Sequence, residues 1–465
     1  MDQQSSSAIA YSGWERAHDR PRVVIVGGGF AGAAAAKGLR HAKVDVLVID
    51  RRNHQIFQPL LYQVATAVLS PADVAAPLRQ LGARQPNVEA VLAEVTAIDT
   101  QARKVTARLP SDQVVQVPFD FLVVAAGVAP SYYGHDEFAA HAPGLKTLTD
   151  AEAIRSKILK AYELAELTND PDERRRLMTF VLVGGGPTGV ELAATIAQMA
   201  RVTLRRNFRR IRPEETNVVL VEGGQRILPS FDETLAAAAH RQLERLGVSV
   251  RTGANVEAVD GDGVIAGGER LRAATVLWTA GVAASPLSAL VGAPTDRAGR
   301  AVVGPGLETR SGPGVFVIGD AASVTQDGKP APGVVQAALQ QGAYVAGALR
   351  ARIEGRAAPA PFRYSDVGSM AVVGKDFALL QAPHIRLSGR LAWAAWAFIH
   401  IATLPRLQNR LQVGVQWLWS YFTGQRGSRL IAEPVWALPG RSPEPVAGVA
   451  GHGADRDADR RPNVA

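Results

Sequence analysis

Short runs of consecutive apolar, mostly β-branched residues recur along this chain, separated by stretches with helical periodicity. The runs at 23–26, 44–49, 119–126, 180–183, 218–221, 275–280 and 315–318 are predominantly apolar and read as buried strands. The segment 149–167 places Ile154, Ile158, Ala161, Leu164 and Ala165 on one stripe and predicts a helix. A second helix is predicted over 233–246, stopped by Gly247. Ser70-Pro71-Ala72-Asp73 has the cap residue, proline and acid of a helix start. Strands around 89–98, 104–108 and 113–117 predict an antiparallel β-excursion. Near the C-terminus, 391–404 is strongly apolar but shorter than the ~18 residues needed to span a bilayer. After Pro405, 406–422 puts Leu407, Leu411, Val415, Leu418 and Phe422 on one face and Gln408, Asn409, Arg410, Gln412 and Gln416 elsewhere, an amphipathic helix.

Two of the strand runs end in the same way. Val23-Val24-Ile25-Val26 enters a turn with Gly27, Gly29 and Gly32 at G-x-G-x-x-G spacing, followed by an alanine-rich helix. The next strand run ends at Asp50, 23 residues after Gly27. The three glycines serve a tight turn, close approach to a pyrophosphate, and close packing of helix on strand. Free N–H groups at the helix start suit an anion, and an acid roughly 20 residues on suits ribose hydroxyls. Phe180-Val181-Leu182-Val183 repeats the pattern with Gly184, Gly186, Thr188 and Gly189, then Glu191, and the following strand ends at Glu222. Two such sites imply two dinucleotides, one flavin held permanently and one nicotinamide exchanged. Glu222 favours NADH over NADPH by repelling a 2′-phosphate, with Arg226 close enough to weaken the effect.

The strand runs ending at Ala126-Gly127 and Ala280-Gly281 match each other, so the two halves are built alike. A further strand ends in Gly319-Asp320, where a carboxylate suits a flavin's ribityl chain. Its position after the second fold makes the first domain discontinuous. The expected division is 21–145 with 284–350 as the FAD-binding domain, 146–283 as the NADH-binding domain, and 351–435 as a membrane-association region. Disordered tails are expected at 1–20 and 436–465. Gln336 and Gln340 lie one helical turn apart, neutral amides suited to a flavin or quinone; a helix with polar surface residues is the blander reading. The segment 51–66, with Arg51, Gln58, Tyr62 and Gln63 among apolar residues, reads as a half-buried loop or the lining of a flavin or quinone pocket. Glu191 lies in the first turn of its helix, where it either complements the helix dipole or acts chemically.

Composition narrows the chemistry. The chain has 465 residues, room for two or three domains, and no cysteine. That excludes disulfides, Cys-ligated clusters and a redox-active Cys pair. Nine scattered histidines predict no metal site. The net charge of +8 suits an anionic partner, and no nucleic-acid motif accompanies it. The N-terminal stretch lacks the apolar core of a signal peptide. No acid occurs from Phe377 to Ala432, while Arg386, Arg390, Arg406, Arg410, Arg426 and Arg429 do, and four of seven tryptophans fall between Trp393 and Trp419. Arginine and tryptophan on amphipathic helices suit an interfacial anchor on an anionic membrane surface. A helix pair buried in a dimer interface is the alternative. The six-arginine stretch 201–212 reads as solvated surface, or as a guide for an anionic nucleotide.

With these motifs in place, residues 20–435 resemble the type II NADH dehydrogenases, single-subunit NADH:quinone oxidoreductases. The resemblance rests on the segment from Phe57 to Thr66, on Gly184 to Glu191, on Gly319-Asp320, on Gln336-x-x-x-Gln340, and on Trp417-x-Trp419-Ser420-Tyr421-Phe422-Thr423. Val335 departs from it, standing where the family usually has Ala and adding bulk beside the expected quinone slot. The resemblance implies an α/β protein of two Rossmann-like domains with a C-terminal membrane-binding region. It implies noncovalent FAD in the first fold, held by Gly27, Gly29, Gly32, Asp50, Arg51, Gln58, Ala126, Gly127, Gly319, Asp320 and Gln336. It implies NADH in the second, held by Gly184, Gly186, Thr188, Gly189, Glu191, Glu222, Ala280 and Gly281. Glu191, Gln336 and Gln340 would serve the quinone half-reaction, without proton pumping. A homodimer, peripheral on the cytoplasmic face of the cell membrane, is also implied. A soluble NADH-dependent flavoprotein reductase and an NADH-binding redox sensor remain the alternatives.

Overall fold

The computed structural model describes residues 19–432; both expected tails lie almost wholly outside them. A five-stranded parallel sheet holds the first fold. Its order is Val315–Val317, Phe121–Val124, Arg22–Val26, Asp45–Asp50, Val88–Leu92. The strand at 315–317 arrives after the entire second fold, so this domain is discontinuous in the chain. Its interior is built from fully buried Val, Ile and Leu, as parallel strands covered on both faces require. Helix α1 (Phe30–Gly38) follows the first glycine loop. Gly27 has φ +102, and a Cβ there would overlap the Ala125 carbonyl; one on Gly32 would overlap the carbonyl of Gly27. These overlaps explain the glycines: strand, loop and helix touch backbone to backbone.

The segment 51–66 is more ordered than a loop. It includes the strand His54–Ile56 and a short buried helix α2 (Leu61–Ala65). The helix start at Ser70 yields only one 3-10 turn, Pro71–Asp73, though its reciprocal Ser70–Asp73 cap is formed. The β-excursion also differs from expectation. Val88–Leu92 joins the parallel sheet, and the antiparallel unit begins afresh as Glu94–Asp99, Lys104–Arg108 and Val114–Pro118. Buried Ala93 lies between the two strands.

Helices α3 (Leu148–Leu167) and α4 (Pro171–Leu177) lead into the second fold. Thr147 and Asp150 form a reciprocal cap that starts α3. The second parallel sheet runs Val248–Arg251, Asn217–Val221, Thr179–Val183, Thr275–Trp278, with α5 (Pro187–Gln198) after the glycine loop and α6 (Glu233–Arg245) on its flank. It carries its own antiparallel excursion, Val256–Asp260, Gly263–Ala266 and Glu269–Arg272. The Asp260-Gly261-Asp262-Gly263 turn is a hairpin signal that hydrophobic periodicity does not register. A two-stranded ribbon, Val128–Pro130 with Val282–Ala284, ties the two folds together. The arginines 205, 206, 209, 210 and 212 are exposed, in keeping with solvated surface.

Helix α7 (Val335–Ile353) packs against α1 at the back of the first fold. A three-stranded antiparallel sheet, Ser369–Val372, Ala378–Ala382 and Ile385–Gly389, precedes α8 (Arg390–Thr403) and α9 (Leu407–Thr423). One core cluster unites residues 56–74, the second fold and residues 371–413, so the C-terminal region is built onto the α2–α5 region. The orientation of α9 is informative. Its buried face carries Asn409 and Val413, and its leucine-rich stripe faces outward. Asn409 is drawn in because its side-chain amide donates to the carbonyls of Ala72 and Asp73 at 2.8 and 2.7 Å.

Candidate functional site

The carboxyl ends of the first sheet open into a cavity of about 810 Å³. Gly27, Gly29, Asp50, Arg51, Gln58, Ala126, Gly127, Gly319 and Asp320 all line it. Gly32 sits behind, in the helix–loop contact. No side chain caps α1 and no acid lies in its first turn, so its N–H groups are left for an anion. Asp50 accepts from the amides of Gly28 and Arg52 at 2.7 and 2.8 Å, which fixes its carboxylate at the cavity edge. Asp320 lies at the other end. Burial pushes its carboxyl up, while Lys146 and Arg300 draw it back. Lys146 lines the same cavity; burial lowers its ammonium and Asp320 opposes that. An anion-binding helix end, a carboxylate for hydroxyls and a length of cleft between them fit a dinucleotide such as FAD, and the volume is near the top of the ~300–1,000 Å³ usual for ligand sites.

Sequence reasoning missed Lys146 and also Gln341. The latter is buried, and its amide oxygen accepts from the Gly319 N–H at 2.6 Å, holding the Gly-Asp turn. Gln340, by contrast, is occupied elsewhere. Its amide exchanges two 2.9 Å hydrogen bonds with the Ser365 backbone, so it fastens the following segment instead of offering a free amide to the flavin cavity. Gln336 is half-buried, its side chain has no hydrogen-bond partner among the described residues, and it does not line the flavin cavity. Val335 lines the cavity.

The second loop repeats the first closely. Gly184 has φ +109, and a Cβ on Gly189 would overlap the Gly184 carbonyl. Glu222 accepts from the amides of Gly185 and Gly224 at 2.6 and 2.7 Å. Gly186 caps α5 without a side chain, and Thr188 is exposed at its first turn. Ala280 and Gly281 lie beside exposed Tyr133, whose hydroxyl donates to the Ala280 carbonyl at 2.8 Å. Nothing in the local sequence singles out Tyr133. Arg226 does not face the nucleotide side as its sequence position suggests. Its guanidinium donates instead to the carbonyls of Leu228, Pro229 and Phe231.

Glu191 lies where α5 meets α2 and the strand Ser369–Val372. One carboxyl oxygen accepts from the Val372 N–H at a long 3.4 Å. Burial raises its pKa to about 8, and that single weak hydrogen bond offsets little. Nearby, Tyr62 is buried, its phenol pushed well up by burial and by Glu191. Arg426 is buried too. It donates to the Thr66 and Thr195 carbonyls at 2.8 and 3.0 Å, and burial draws its pKa down to about 9.

A second cavity of about 340 Å³ adjoins this cluster. Tyr62, Gln63, Thr195, Val372 and Arg426 line its inner part, and Trp393, Trp396, Trp417 and Phe422 its outer part. Trp396 and Trp417 stack with centroids 5.0 Å apart. No carboxylate lines this cavity. Beyond it, Leu391, Phe398, Leu407, Leu411, Val415, Leu418, Trp419 and Phe422, all on α8 and α9, are 60–77% exposed. The six arginines do not act alike: Arg426 is interior, and Arg386 pairs with Asp232 at 3.1 Å. Among the described residues no helix is long and apolar enough to cross a membrane.

Residues 21–342 match the family model described as pyridine nucleotide-disulphide oxidoreductase. This chain has no cysteine for the disulphide chemistry of that description. Two proteins of Mycobacterium tuberculosis are similar over most of their length. The type II NADH:quinone oxidoreductase NdhA is 42% identical over 425 residues, 89% of each chain. The type II NADH:quinone oxidoreductase Ndh is 40% identical over 426 residues, 89% of this chain and 91% of that one. Among solved structures, NDH2 of Plasmodium falciparum in complex with NADH superimposes with a TM-score of 0.81 at 19% identity, over 88% of this chain and 99% of that one, a likeness of fold. At the identity and coverage of the two mycobacterial relatives, this chain belongs to the type II NADH:quinone oxidoreductase family.

Proposed function

We propose that this chain oxidises NADH bound at the second glycine loop and delivers two electrons to a membrane quinone through FAD held noncovalently in the first fold. The observation that carries this reading is the aromatic cavity, which runs from Tyr62 beside Glu191 to exposed Phe422 on the apolar face of α9. FAD, when bound, takes up a hydride and returns its electrons two at a time to a quinone. The chain positions and insulates. The uncapped start of α1 holds the pyrophosphate, Asp50 the ribose, and Asp320 the ribityl chain. The start of α5 and Glu222 hold NADH in the same manner. Glu191 keeps its proton at neutral pH because burial disfavours the carboxylate, so it serves as a proton donor to the reduced quinone. Neither Gln336 nor Gln340 lines the flavin cavity or the aromatic cavity, and Gln340 is fastened to the Ser365 backbone, so neither amide is given a part in quinone binding here.

The apolar face of α8 and α9 would lie at the headgroup–acyl boundary of an anionic leaflet on the cytoplasmic side. Exposed Arg390 and Arg410 flank it, each contributing on the order of 1 kcal/mol at such a surface. A quinone with an isoprenoid tail would reach the cavity from there. The test is NADH oxidation by the FAD-loaded protein with anionic vesicles carrying a long-tailed quinone. Turnover should require the quinone and rise with vesicle binding. Reduction of water-soluble acceptors without quinone reduction would favour the soluble reductase, and no NADH oxidation with any acceptor would favour the sensor.

A further inference from the structure

Most groups lining the inner part of the aromatic cavity spend their polar atoms on neighbours. The Trp417 indole Nε1–H donates to Gln63 Oε1 at 2.7 Å, Gln63 Nε2 donates to the Tyr62 hydroxyl oxygen at 2.9 Å, and the Thr195 hydroxyl donates to the Glu191 carbonyl. Arg426 differs. It lines the cavity, is 7% exposed, and has no carboxylate partner among the described residues. A buried guanidinium is ordinarily paired with an acid, because an unpaired charge away from water is costly. Here two backbone carbonyls take that place: Thr66, which closes α2, and Thr195, in the last turn of α5. These are the negative ends of their helices, where a cation is favoured. They fix the guanidinium in one position and leave its net charge intact. Its Nε–H has no acceptor among the described residues, yet it is not sealed from contact. The other cation on the cavity wall, Lys375, is exposed and already engaged. Its ammonium donates to the Tyr421 carbonyl at 2.7 Å and lies 3.9 Å from the centre of the Tyr421 ring.

We propose that the Arg426 guanidinium receives a ring oxygen of the quinone and stabilises the negative charge that gathers there as the ring is reduced. This rests on the reading of the aromatic cavity as the quinone site. Reduction adds two electrons, drawn from NADH, and two protons to the two ring oxygens. Electrons that arrive ahead of a proton leave an oxyanion. A fixed cation in an aromatic-walled pocket stabilises that oxyanion more than the uncharged carbonyl, so its effect falls on the rate as well as on binding. Arg426 keeps its own proton throughout: burial lowers its pKa only to about 9, so it is charged at neutral pH. The phenols that act on it, Tyr62 and Tyr162, are both pushed up by burial and stay neutral, so they do not cancel its charge. Its place is fixed from the protein side as well. The Thr203 hydroxyl donates to the Gly424 carbonyl at 3.0 Å, which ties the segment after α9 to the end of α5. The charge is therefore set in position before a ligand arrives, as electrostatic stabilisation requires.

The test compares two small quinones that differ in charge. A 2-hydroxynaphthoquinone is an anion at neutral pH, its charge shared among the ring oxygens; its methyl ether has the same ring and no charge. Equilibrium dialysis of the FAD-loaded protein, with NAD⁺ filling the second glycine loop, gives a Kd for each. The wild-type protein should bind the anion about tenfold more tightly than the ether, and Arg426→Gln should abolish that preference. Arg426→Lys should keep part of it, and Lys375→Gln nearly all. In turnover with a long-tailed quinone, Arg426→Gln should lower kcat more than it raises KM. A wild-type protein that prefers the ether overturns the proposal without any variant, so the outcome does not hang on whether Arg426→Gln folds, which its flavin content reports. An unchanged ratio in folded Arg426→Gln, both affinities falling together, marks the residue as structural and overturns the proposal. Loss of the preference in Lys375→Gln overturns it as well. Probes that show the expected preference but do not slow quinone reduction overturn the placing of the quinone in this cavity, and the role in reduction with it, while the anion site at Arg426 remains.

Discussion

The two glycine loops are nearly copies of each other, yet the helices that leave them meet different surroundings. Gly27 and Gly184 take the same left-handed φ, Gly32 and Gly189 close on the preceding loop carbonyl, and Asp50 and Glu222 each accept the amide of the loop's second glycine. Seven residues after the first glycine stand Ala34 on α1 and Glu191 on α5. Ala34 faces α7 at Gly342, where a Cβ would come within 2.8 Å of the Ala34 methyl and overlap the Ala31 carbonyl. At the matching place Glu191 meets α2 and the strand Ser369–Val372, with Tyr62 close by. The repeated motif sets where a dinucleotide binds. What packs on the helix behind it decides whether that helix also carries an acid.

Moving the acid into the first fold should break this comparison most forcefully. Ala34→Glu would press a carboxylate into the α1–α7 contact, costing on the order of 3 kcal/mol. Thermal unfolding and loss of flavin on gel filtration measure it; an unchanged melting temperature would mean that α7 leaves room after all.

Removing the acid from the second fold is the next largest change. Glu191→Gln should lower quinone turnover about a hundredfold. It also has a stability signature. Between the usual value near 4.5 and the native value of about 8, the folded chain holds a proton the unfolded chain has released. Stability therefore falls as pH rises through that window and levels off outside it. The Gln variant should lack this decline in a melting series from pH 5 to 9. A decline equal in both proteins would refute the assignment.

A smaller effect compares the two ribose acids. Glu222→Gln should reduce the preference for NADH over NADPH, in kcat/KM, by about tenfold, and Asp50→Asn should weaken FAD retention by a similar factor. Arg226→Ala should leave nucleotide preference alone, since its guanidinium is committed to the 228–231 carbonyls. A marked change in preference for that variant would show that the side chain lets go of those carbonyls to reach NADPH.

Much of the fold was legible because it follows from local rules. Buried β-branched runs, glycine spacing and the acid at the next strand end all act over a few residues, and the other strands of both sheets formed where those signals lay; the edge strands Val88–Leu92 and Val248–Arg251 carried no such signal. The candidate site was less legible. Gln340 and Gln341 differ by one step on α7, yet Gln341 reaches Gly319 and Gln340 reaches Ser365. Helical spacing does not reveal which of two adjacent polar residues faces inward until the partners of the helix are known. Lys146 and Tyr133 carry no local motif, so only their place at a cavity or beside Gly281 marks them.

The sequence by itself determined two dinucleotide folds, a discontinuous first domain, chemistry without cysteine and an amphipathic C-terminal helix, because backbone geometry and apolar periodicity are written in neighbouring residues. Tertiary structure decided the rest. Periodicity showed that α9 has an apolar stripe but not where it points; Asn409, bonded to carbonyls some 336 positions earlier, turned that stripe outward. Trp417 and Gln63 are 354 positions apart, and Arg426 bonds Thr66 across 360. Such pairings have no local signature. They exist because burial leaves a donor the choice of a partner within reach or a desolvation cost of about 1–3 kcal/mol, and only the packed chain determines which partner is within reach.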